Sequence, residues 1–563
     1  MSVNNNVFLP TSAKELAARG WEWVDVILFT GDAYVDHPAF GAAVIGRVLE
    51  AAGYRVAIVP QPNWRDDLRD FRKLGKPRLF FGVTAGAMDS MVNRYTATKR
   101  LRSDDAYTPD NRADMRPDYP SVVYTKILKD IYPDTPVVLG GIEASLRRLT
   151  HYDYWQDRLR PSFLVESGAD YLVYGMGEKV VVELAQAMAQ GRSPRNTPQI
   201  AYLSKNAAVC GEEVLHLHSF EECLADKSKY GENFVKFETE SNRLEARTIV
   251  ERVGQEYVVV NPPYPFLSED EIDASFDLPY TRLPHPRYRG KQISAYQMIK
   301  HSVCLHRGCF GGCSFCAISA HQGKFISSRS ERSILGEIEK ITAMEDFRGY
   351  LSDIGGASAN MWRMGGVDVH RCRKCSRASC LFPKKCLNLH SDHTPLLELY
   401  GRIRAVKGIK KAFIGSGIRY DMFQGGEYLE VVLKHHTSGR FKVAPEHTED
   451  NVLRVMRKPS YDLFEDLRRN FRKICEKENL PYQIVPYFIS SHPACNEQDM
   501  RLLAARTKGV STEQVQDFTP TPMTLSTTIY YTGINPYTGE KIYTARTREQ
   551  KQRQKDYFFA KER

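Results

Sequence analysis

The stretch HSVCLHRGCFGGCSFCAISAHQGKF, residues 301–325, places Cys309, Cys313 and Cys316 in a C-x3-C-x2-C spacing. Structural zinc sites are usually closed by paired C-x2-C hooks that complete four ligands. Three thiolates suit a [4Fe–4S] cube whose fourth iron stays open to substrate or cofactor. Gly308, Gly311 and Gly312 keep the loop tight, so that backbone amides can approach the sulfurs. The plainer alternative is a structural zinc or a storage cluster; the glycines and the strand-end loops downstream favour a catalytic site.

Downstream of this loop the chain alternates strands and helices. SILGEIEKITAM reads as a helix, YLSDIGGASAN as a strand with a glycine loop, and LLELYGRIRAVKGI as a helix. KKAFIGSGIRYDM, RFKVAPEH and PYQIVPYFISSHP read as further strands, separated by GEYLEVVLKHHTSG and YDLFEDLRRNFRKICEKENL. Their recurrence predicts a partial (β/α)6 barrel over 291–540, with the cysteine loop at the carboxyl end of its first strand, where barrel sites lie. Gly355, Gly356, Ser416, Arg419 and Glu446 follow later strands.

Within this array an insertion at 366–392 carries HRCRKCSRASCLFPKKC. Cys372, Cys375, Cys380 and Cys386 can close around a zinc ion or an auxiliary iron–sulfur cluster, or stay as reduced thiols without metal; their spacing is not the regular ferredoxin run. Arg371, Arg373, Lys374, Arg377, Lys384 and Lys385 would offset thiolate charge in any case. Eight of the 12 cysteines fall within the 83 residues from Cys304 to Cys386. Cys304 reads as a bystander to the triplet. Cys495 is a minor candidate for a substrate-side thiol, His447 and His492 are candidates for the pocket, and Cys210, Cys223 and Cys475 read as ordinary thiols.

Upstream, VDVILFTGDAYV, YRVAIVP, PRLFFGVTAG and TPVVLGGIEAS are nearly all-apolar strand runs alternating with helices. That pattern predicts an open, Rossmann-like parallel sheet over 1–200, covered on both faces. Its strand ends carry Gly31-Asp32, Thr84-Ala85-Gly86, Gly140-Gly141-Ile142-Glu143 and Gly175-Met176-Gly177, which fit tight turns and a ligand crevice equally well. Neither GxGxxG nor GxxxxGK[ST] is present, which argues against ordinary dinucleotide and P-loop nucleotide binding. Residues 201–290 read as a small strand-containing connector to the next domain, and 541–563, with eight basic and three acidic side chains, as a basic tail.

The chain has 563 residues, 42% of them hydrophobic, enough to bury a core without disulfides. It lacks a signal-type amino terminus and any run of 18 apolar residues. A cytoplasmic protein with no membrane association is expected. The net charge of +10 is modest for this length; the basic tail and insertion keep RNA open as a partner.

The triplet, with Phe315 just before its third cysteine, resembles the signature of the radical S-adenosylmethionine (SAM) superfamily, and the whole chain is similar to YgiQ-type radical SAM proteins. The resemblance implies a cobalamin-domain-like amino half and a radical SAM barrel. It implies a [4Fe–4S] cluster on Cys309, Cys313 and Cys316, with SAM chelating the open iron. Gly355-Gly356 would lie near the SAM amino group; the family often follows these glycines with Glu, where this chain has Ala357 and Ser358. Ser416, within Gly415-Ser416-Gly417, and Arg419 would contact the SAM ribose or carboxylate, with Glu446 a further candidate. Reductive cleavage of SAM would yield a 5′-deoxyadenosyl radical for hydrogen abstraction, with the electron supplied by an external flavodoxin- or ferredoxin-like donor. A metal-stapled RNA-binding or regulatory protein, and an RNA-modifying radical enzyme, are the alternatives. Cobalamin is disfavoured, because YVDHPAFG sets Asp36 and His37 side by side, off the D-x-H-x-x-G spacing; a degenerate domain used for docking or for another ligand is the preferred expectation.

Overall fold

The computed structural model describes residues 7–206, 214–508 and 514–559, and Cys210 lies outside them. The chain divides into two compact units. The first comprises Met1–Glu240, Glu245–Pro265 and Ala274–Lys300; the second comprises Ser241–Leu244, Phe266–Asp273 and His301–Arg563.

In the first unit, β1 (Val26–Thr30) and β2 (Val56–Pro60) are buried along their whole length, as strands covered on both faces must be. With β3 (Phe80–Thr84), β4 (Val137–Gly140) and β5 (Tyr171–Val173) they form a parallel sheet ordered β5-β4-β3-β1-β2. Helices α1 (Gly41–Ala51), α2 (Pro120–Ile131) and α3 (Glu178–Ala189) supply the crossovers. The expected parallel α/β sheet is present, but it does not stop near residue 200.

Residues 201–290 are not a mere connector. β6 (Ile200–Ser204) pairs antiparallel with β5, and β7 (Leu215–His216), β8 (Ile249–Val253) and β9 (Glu256–Val260) extend the same sheet to nine strands. The cause is a hairpin in IVERVGQEYVVV. Val253 pairs with Glu256 across Gly254 and Gln255, and Gly254 has φ +59°, the left-handed backbone that a two-residue hairpin turn demands.

The second unit alternates six strands with helices. These are β10 (Ser302–Arg307), β11 (Tyr350–Leu351 and Asp353–Gly356), β12 (Lys411–Ala412), β13 (Arg440–Glu446), β14 (Gln483–Ser490) and β15 (Gln514–Asp517). The intervening helices are α4 (Glu331–Thr342), α5 (Thr394–Ala405), α6 (Glu427–His435), α7 (Tyr461–Lys477) and α8 (Glu497–Arg506). β10, β11 and β12 pair in parallel, as do β13, β14 and β15. His436 links the two ladders: its carbonyl accepts the Ile414 N–H at 2.9 Å and its Nδ1–H donates to the Ala412 carbonyl at 2.8 Å. This is the partial (β/α)6 barrel. Its core packs strand residues Val303, Leu305 and Ile354 against helix faces such as Ile334, Ile338 and Ile341, whose spacing puts them on one side of α4.

The expected basic tail is largely structured. After α9 (Leu525–Thr532), α10 (Arg548–Phe559) lies against α8, β14 and β15 with Lys551 and Gln554 buried. Gln554 Oε1 accepts the Ser491 N–H at 2.8 Å, and its Nε2 donates to the Cys495 carbonyl at 2.7 Å. Arg553 pairs with Glu497 at 2.6 Å and Lys555 with Asp517 at 3.5 Å. These two cations are therefore paired within the chain. Among the described residues no helix is long and apolar enough to cross a membrane.

Gln554→Leu leaves a buried amide and a buried carbonyl without partners. It is expected to cost about 2–6 kcal/mol, at about 1–3 kcal/mol per unpaired group, read as a lowered urea midpoint of the full chain.

Candidate functional site

The C-x3-C-x2-C loop leaves the carboxyl end of β10. Cys309 is pinned by its N–H to the Gly323 carbonyl at 3.1 Å, and Cys316 by its N–H to the Cys313 carbonyl at 3.1 Å. Gly312 has φ +60°, and a Cβ there would overlap the Ala378 carbonyl oxygen. A Cβ on Gly311 would overlap the Arg419 guanidinium and stand 3.3 Å from Cys309 Sγ. Only glycine fits either place.

The three thiols feel one another's charge. Burial and then the Cys313 and Cys309 thiolates push Cys316 up to about 12. Burial also raises Cys309, against the opposing pull of Arg419. Arg419 Nη1 donates to Cys313 Sγ at 3.1 Å, and Ser358 Oγ lies 3.5 Å from Cys309 Sγ. No group of three His, Cys, Asp or Glu side chains among the described residues is already drawn around one point, so these thiols must close in when they bind a metal. The donor set fits an iron–sulfur cluster: three thiols in a glycine loop, with a guanidinium already hydrogen-bonded to one sulfur.

The strand-end residues expected near SAM converge on this loop. A Cβ on Gly355 would lie 2.5 Å from Ser416 Oγ, and one on Gly356 would lie 2.6 Å from the His306 ring. Asp353 joins the two loops, its carboxylate accepting the Gly415 N–H at 2.8 Å, the Ser416 N–H at 3.2 Å and the Ser416 hydroxyl. Arg419 is aimed at the cysteines rather than left free for a ribose. Its Nε donates to Asp421 at 3.0 Å, and buried Asn360 brackets its backbone, accepting its N–H at 2.9 Å and donating to its carbonyl at 3.0 Å. Glu446 ends β13 in left-handed backbone, φ +70°, with Lys458 Nζ 3.8 Å away. Burial raises its carboxyl against the pull of Lys458 and Arg419. Strain of this kind at a strand end marks a position held for a purpose.

His306, Asp353, Asn360 and Asp421 were not singled out from sequence. His306, Asp353 and Asn360 act through partners distant in the chain, whereas Asp421 pairs with Arg419 two positions earlier. A signal existed only for Asp353, two residues before the glycine pair.

The two histidine candidates do not line an open pocket. His492 Nδ1–H donates to the Pro493 carbonyl at 2.7 Å, so Nε2 accepts the Ser526 hydroxyl at 2.7 Å. Ser526 Oγ then accepts the Ser314 hydroxyl at 2.8 Å, inside the cysteine loop. Burial holds His492 neutral, down to about 3. His447 Nδ1 accepts the Glu449 N–H at 3.1 Å, which leaves Nε2–H to meet Cys495 Sγ at 3.4 Å; the thiol donates to Gln554 Oε1 at 3.3 Å. Cys495 is 0% exposed, so it is a structural thiol and not one offered to substrate. Cys304 stays in β10 with its thiol on the His306 carbonyl at 3.2 Å, as a bystander would.

The second cysteine set lies against the first loop. The Cys380 N–H donates to the Phe310 carbonyl at 3.0 Å, and Ser379 Oγ donates to the Gly311 carbonyl at 2.7 Å.

In the first unit the strand-end crevice is filled by the chain's own ion pairs. Arg116 pairs with Asp32 and Asp105, each at 2.9 Å, and Arg147 pairs with Asp89. Glu143 caps two helix starts, accepting the Ser90 N–H at 3.1 Å and the Ser121 N–H at 3.2 Å, and so takes the place an anionic ligand would occupy. Gly86 packs on the Asp32 carboxylate. Asp36 is committed to Arg47 at 2.6 Å, and His37 is 2% exposed with Nδ1 accepting the Ala39 N–H at 3.0 Å. Asp36 and His37, the pair that stands off the D-x-H-x-x-G spacing, are thus both engaged within the chain.

Comparison with known proteins then places the chain. Residues 8–302 match the family model described as Radical SAM N-terminal, and residues 513–561 match Domain of unknown function (DUF3362). A UPF0313 protein of Porphyromonas gingivalis is 60% identical over 98% of this chain and 90% of its own length. One from Bacteroides thetaiotaomicron is 57% identical over 98% and 94%. The chain belongs to the UPF0313 family of radical SAM proteins. It is an enzyme of the radical SAM type. The UPF0313 protein of the more distant Methanocella arvoryzae is 46% identical over 95% of this chain and 90% of its own length. Among solved structures, the radical S-adenosylmethionine methyltransferase TsrM from Kitasatospora setae, with cobalamin and [4Fe-4S] cluster bound, is 15% identical with a TM-score of 0.49, covering 89% of this chain and 74% of that one.

In this UPF0313 chain Arg419→Leu strands a buried Asp421. It should cost about 3–5 kcal/mol in urea unfolding, as breaking a buried pair does, and Asp421→Asn in the same chain should recover much of that loss.

Proposed function

We propose that Cys309, Cys313 and Cys316 hold a [4Fe–4S] cluster and that the ends of β11, β12 and β13 seat SAM beside it. The observation that carries this reading is the convergence of Gly355, Ser416, Arg419 and Glu446, from three different strands, on the loop that carries all three thiols. When bound there, the cluster and SAM supply one-electron cleavage of the sulfonium to methionine and a 5′-deoxyadenosyl radical that abstracts hydrogen from substrate. The electron comes from an external flavodoxin- or ferredoxin-like donor.

This chain's residues do the positioning. Arg419 bonds one ligating sulfur and carries positive charge to the thiolates, and Asp421 and Asn360 fix its direction. The Ser314–Ser526–His492 chain anchors the loop from below. Gly355 and Gly356 let Ser416 and the His306 ring approach the backbone closely, and a SAM amino group would bond backbone carbonyls here, since Ala357 and Ser358 supply no carboxylate. Glu446 and Lys458 set a buried carboxyl and a buried ammonium 3.8 Å apart at the end of β13, suited to the polar parts of SAM. Phe310, Met361, Met364 and Met422, buried around Cys309, keep water from the sulfurs.

The test is anaerobic reconstitution with iron and sulfide, then dithionite and SAM, with 5′-deoxyadenosine measured by chromatography. Wild type should form it, and Cys309→Ala, Cys313→Ala or Cys316→Ala should each abolish it. Equal yields from wild type and the three variants would overturn the assignment.

A further inference from the structure

The insertion at 366–392 has an inner side committed to the chain. The Cys380 N–H donates to the Phe310 carbonyl at 3.0 Å, Ser379 Oγ donates to the Gly311 carbonyl at 2.7 Å, and a Cβ on Gly312 would overlap the Ala378 carbonyl oxygen. Ala378, Ser379 and Cys380 thus rest on the loop that carries Cys309, Cys313 and Cys316. Arg377 is engaged within the insertion, its Nη2 donating to the Phe382 carbonyl at 3.1 Å and the Lys384 carbonyl at 2.6 Å.

The outer side is left to solvent. Gly365 and Gly366 pair antiparallel with His390 and Leu389, and the Val367 N–H continues the ribbon onto the Asn388 carbonyl at 2.8 Å. Val367 and Leu387 therefore stand at the same end of one ribbon, and Val369 opens the short helix Val369–Arg373 that follows. Val367 is 74% exposed, Val369 47%, and Leu387 fully exposed. Single exposed apolar side chains need no explanation, but three carried by one ribbon and the turn after it do. Arg371, Lys374, Lys384 and Lys385 are exposed in the same segment, which holds six basic and two acidic side chains. Both acids are engaged: Asp368 lies 3.4 Å from Arg371, and Asp392 accepts the Thr394 N–H at 3.0 Å.

An apolar centre with a charged rim is the make-up of a protein-docking surface. Single-stranded nucleic acid is held instead on aromatic platforms, and Phe382, the one Phe, Tyr or Trp of the insertion, is partly buried. A second copy of this chain, meeting it face to face, would bring the same positive rim and be repelled.

We propose that this face docks the external one-electron donor, a small acidic redox protein of flavodoxin or ferredoxin type. The inference rests on the assignment of Cys309, Cys313 and Cys316 above, because the insertion sits on that loop. On docking, one electron leaves the reduced flavin or iron–sulfur centre of the donor and enters the cluster of the cysteine loop. The donor is oxidised by one electron, the cluster is reduced by one, and no bond is made or broken. The positive rim steers an acidic carrier in, and the small apolar centre holds it briefly, as suits a carrier that leaves after each electron.

The test uses the full-length chain reconstituted with iron and sulfide, with a purified flavodoxin and a purified ferredoxin as probes. Binding is read by isothermal titration, and 5′-deoxyadenosine formation is compared with reduced carrier and with dithionite. Wild type should bind at least one carrier, with an affinity that falls steeply as salt rises. Leu387→Glu combined with Arg371→Glu and Lys374→Glu should weaken that binding and the carrier-supported rate by about tenfold or more. The dithionite-supported rate should stay unchanged, which also shows that the variant is folded. Should it fall, Leu387→Ser alone takes its place, with a smaller loss of carrier binding expected. Arg472→Glu with Lys473→Glu, at exposed positions of α7, should lose neither rate. Equal losses in the α7 variant, or unaltered carrier binding in the insertion variant, would overturn the proposal. So would a wild type that binds neither carrier, or an insertion variant that loses single-stranded RNA and keeps the carriers. A chain carrying Cys309→Ala, Cys313→Ala and Cys316→Ala should still bind the carrier. If it does while wild type forms no 5′-deoxyadenosine with dithionite, the radical assignment fails and the docking face stands.

Discussion

Three thiols share the loop at the end of the first barrel strand, and burial together with neighbouring thiolates opposes ionisation of Cys309 and Cys316. Much of the second unit is arranged around relieving that opposition. Arg419 brings a guanidinium to Cys313. It stays there because Asp421 pairs with it and Asn360 grips its backbone on both sides. Burial would raise the Asp421 carboxyl, yet Arg419 holds it below its usual range. Glycine at 311 follows from the same demand, since a side chain there would displace the guanidinium.

The two cysteine sets are joined mechanically. Ser379 and Cys380 hold the backbone of the first loop from one side, and Ser314, Ser526 and His492 hold it from the other. A loop tied at both flanks keeps its sulfurs in register when a metal binds, which is the use of supporting hydrogen bonds around any metal centre. In contrast, the crevice of the first unit is closed by Arg116, Arg147 and Glu143, so the parallel-sheet architecture is kept while its usual ligand position is occupied from within.

Much of the fold was readable because apolar runs alternate with helices at a regular interval, and strands buried on both faces have no polar positions to blur the pattern. The antiparallel extension was missed although Gly254 between two valine-rich runs is a hairpin signal; the charged composition around it obscured the reading. The tail was read by its charge alone. Its helix is polar on most faces, and it is the buried Gln554, with partners some 60 positions away, that ties it into the barrel unit. Likewise Cys495 and His447 looked available because both follow strands, whereas burial satisfies each with the other.

By itself, the sequence determined the class of chemistry: spacings of three and two residues put three thiols on one short loop, and this is local geometry that no distant contact can alter. It also determined that the glycine pair and Arg419 follow later strands of one array. Tertiary structure alone decided what those groups face. Arg419 turns to a sulfur 106 positions earlier, Lys324 is buried among thiols of a separate insertion, and Glu143 fills its own crevice. Each of these is a question of which charge is left buried beside which, and that depends on the packing of segments far apart in the chain.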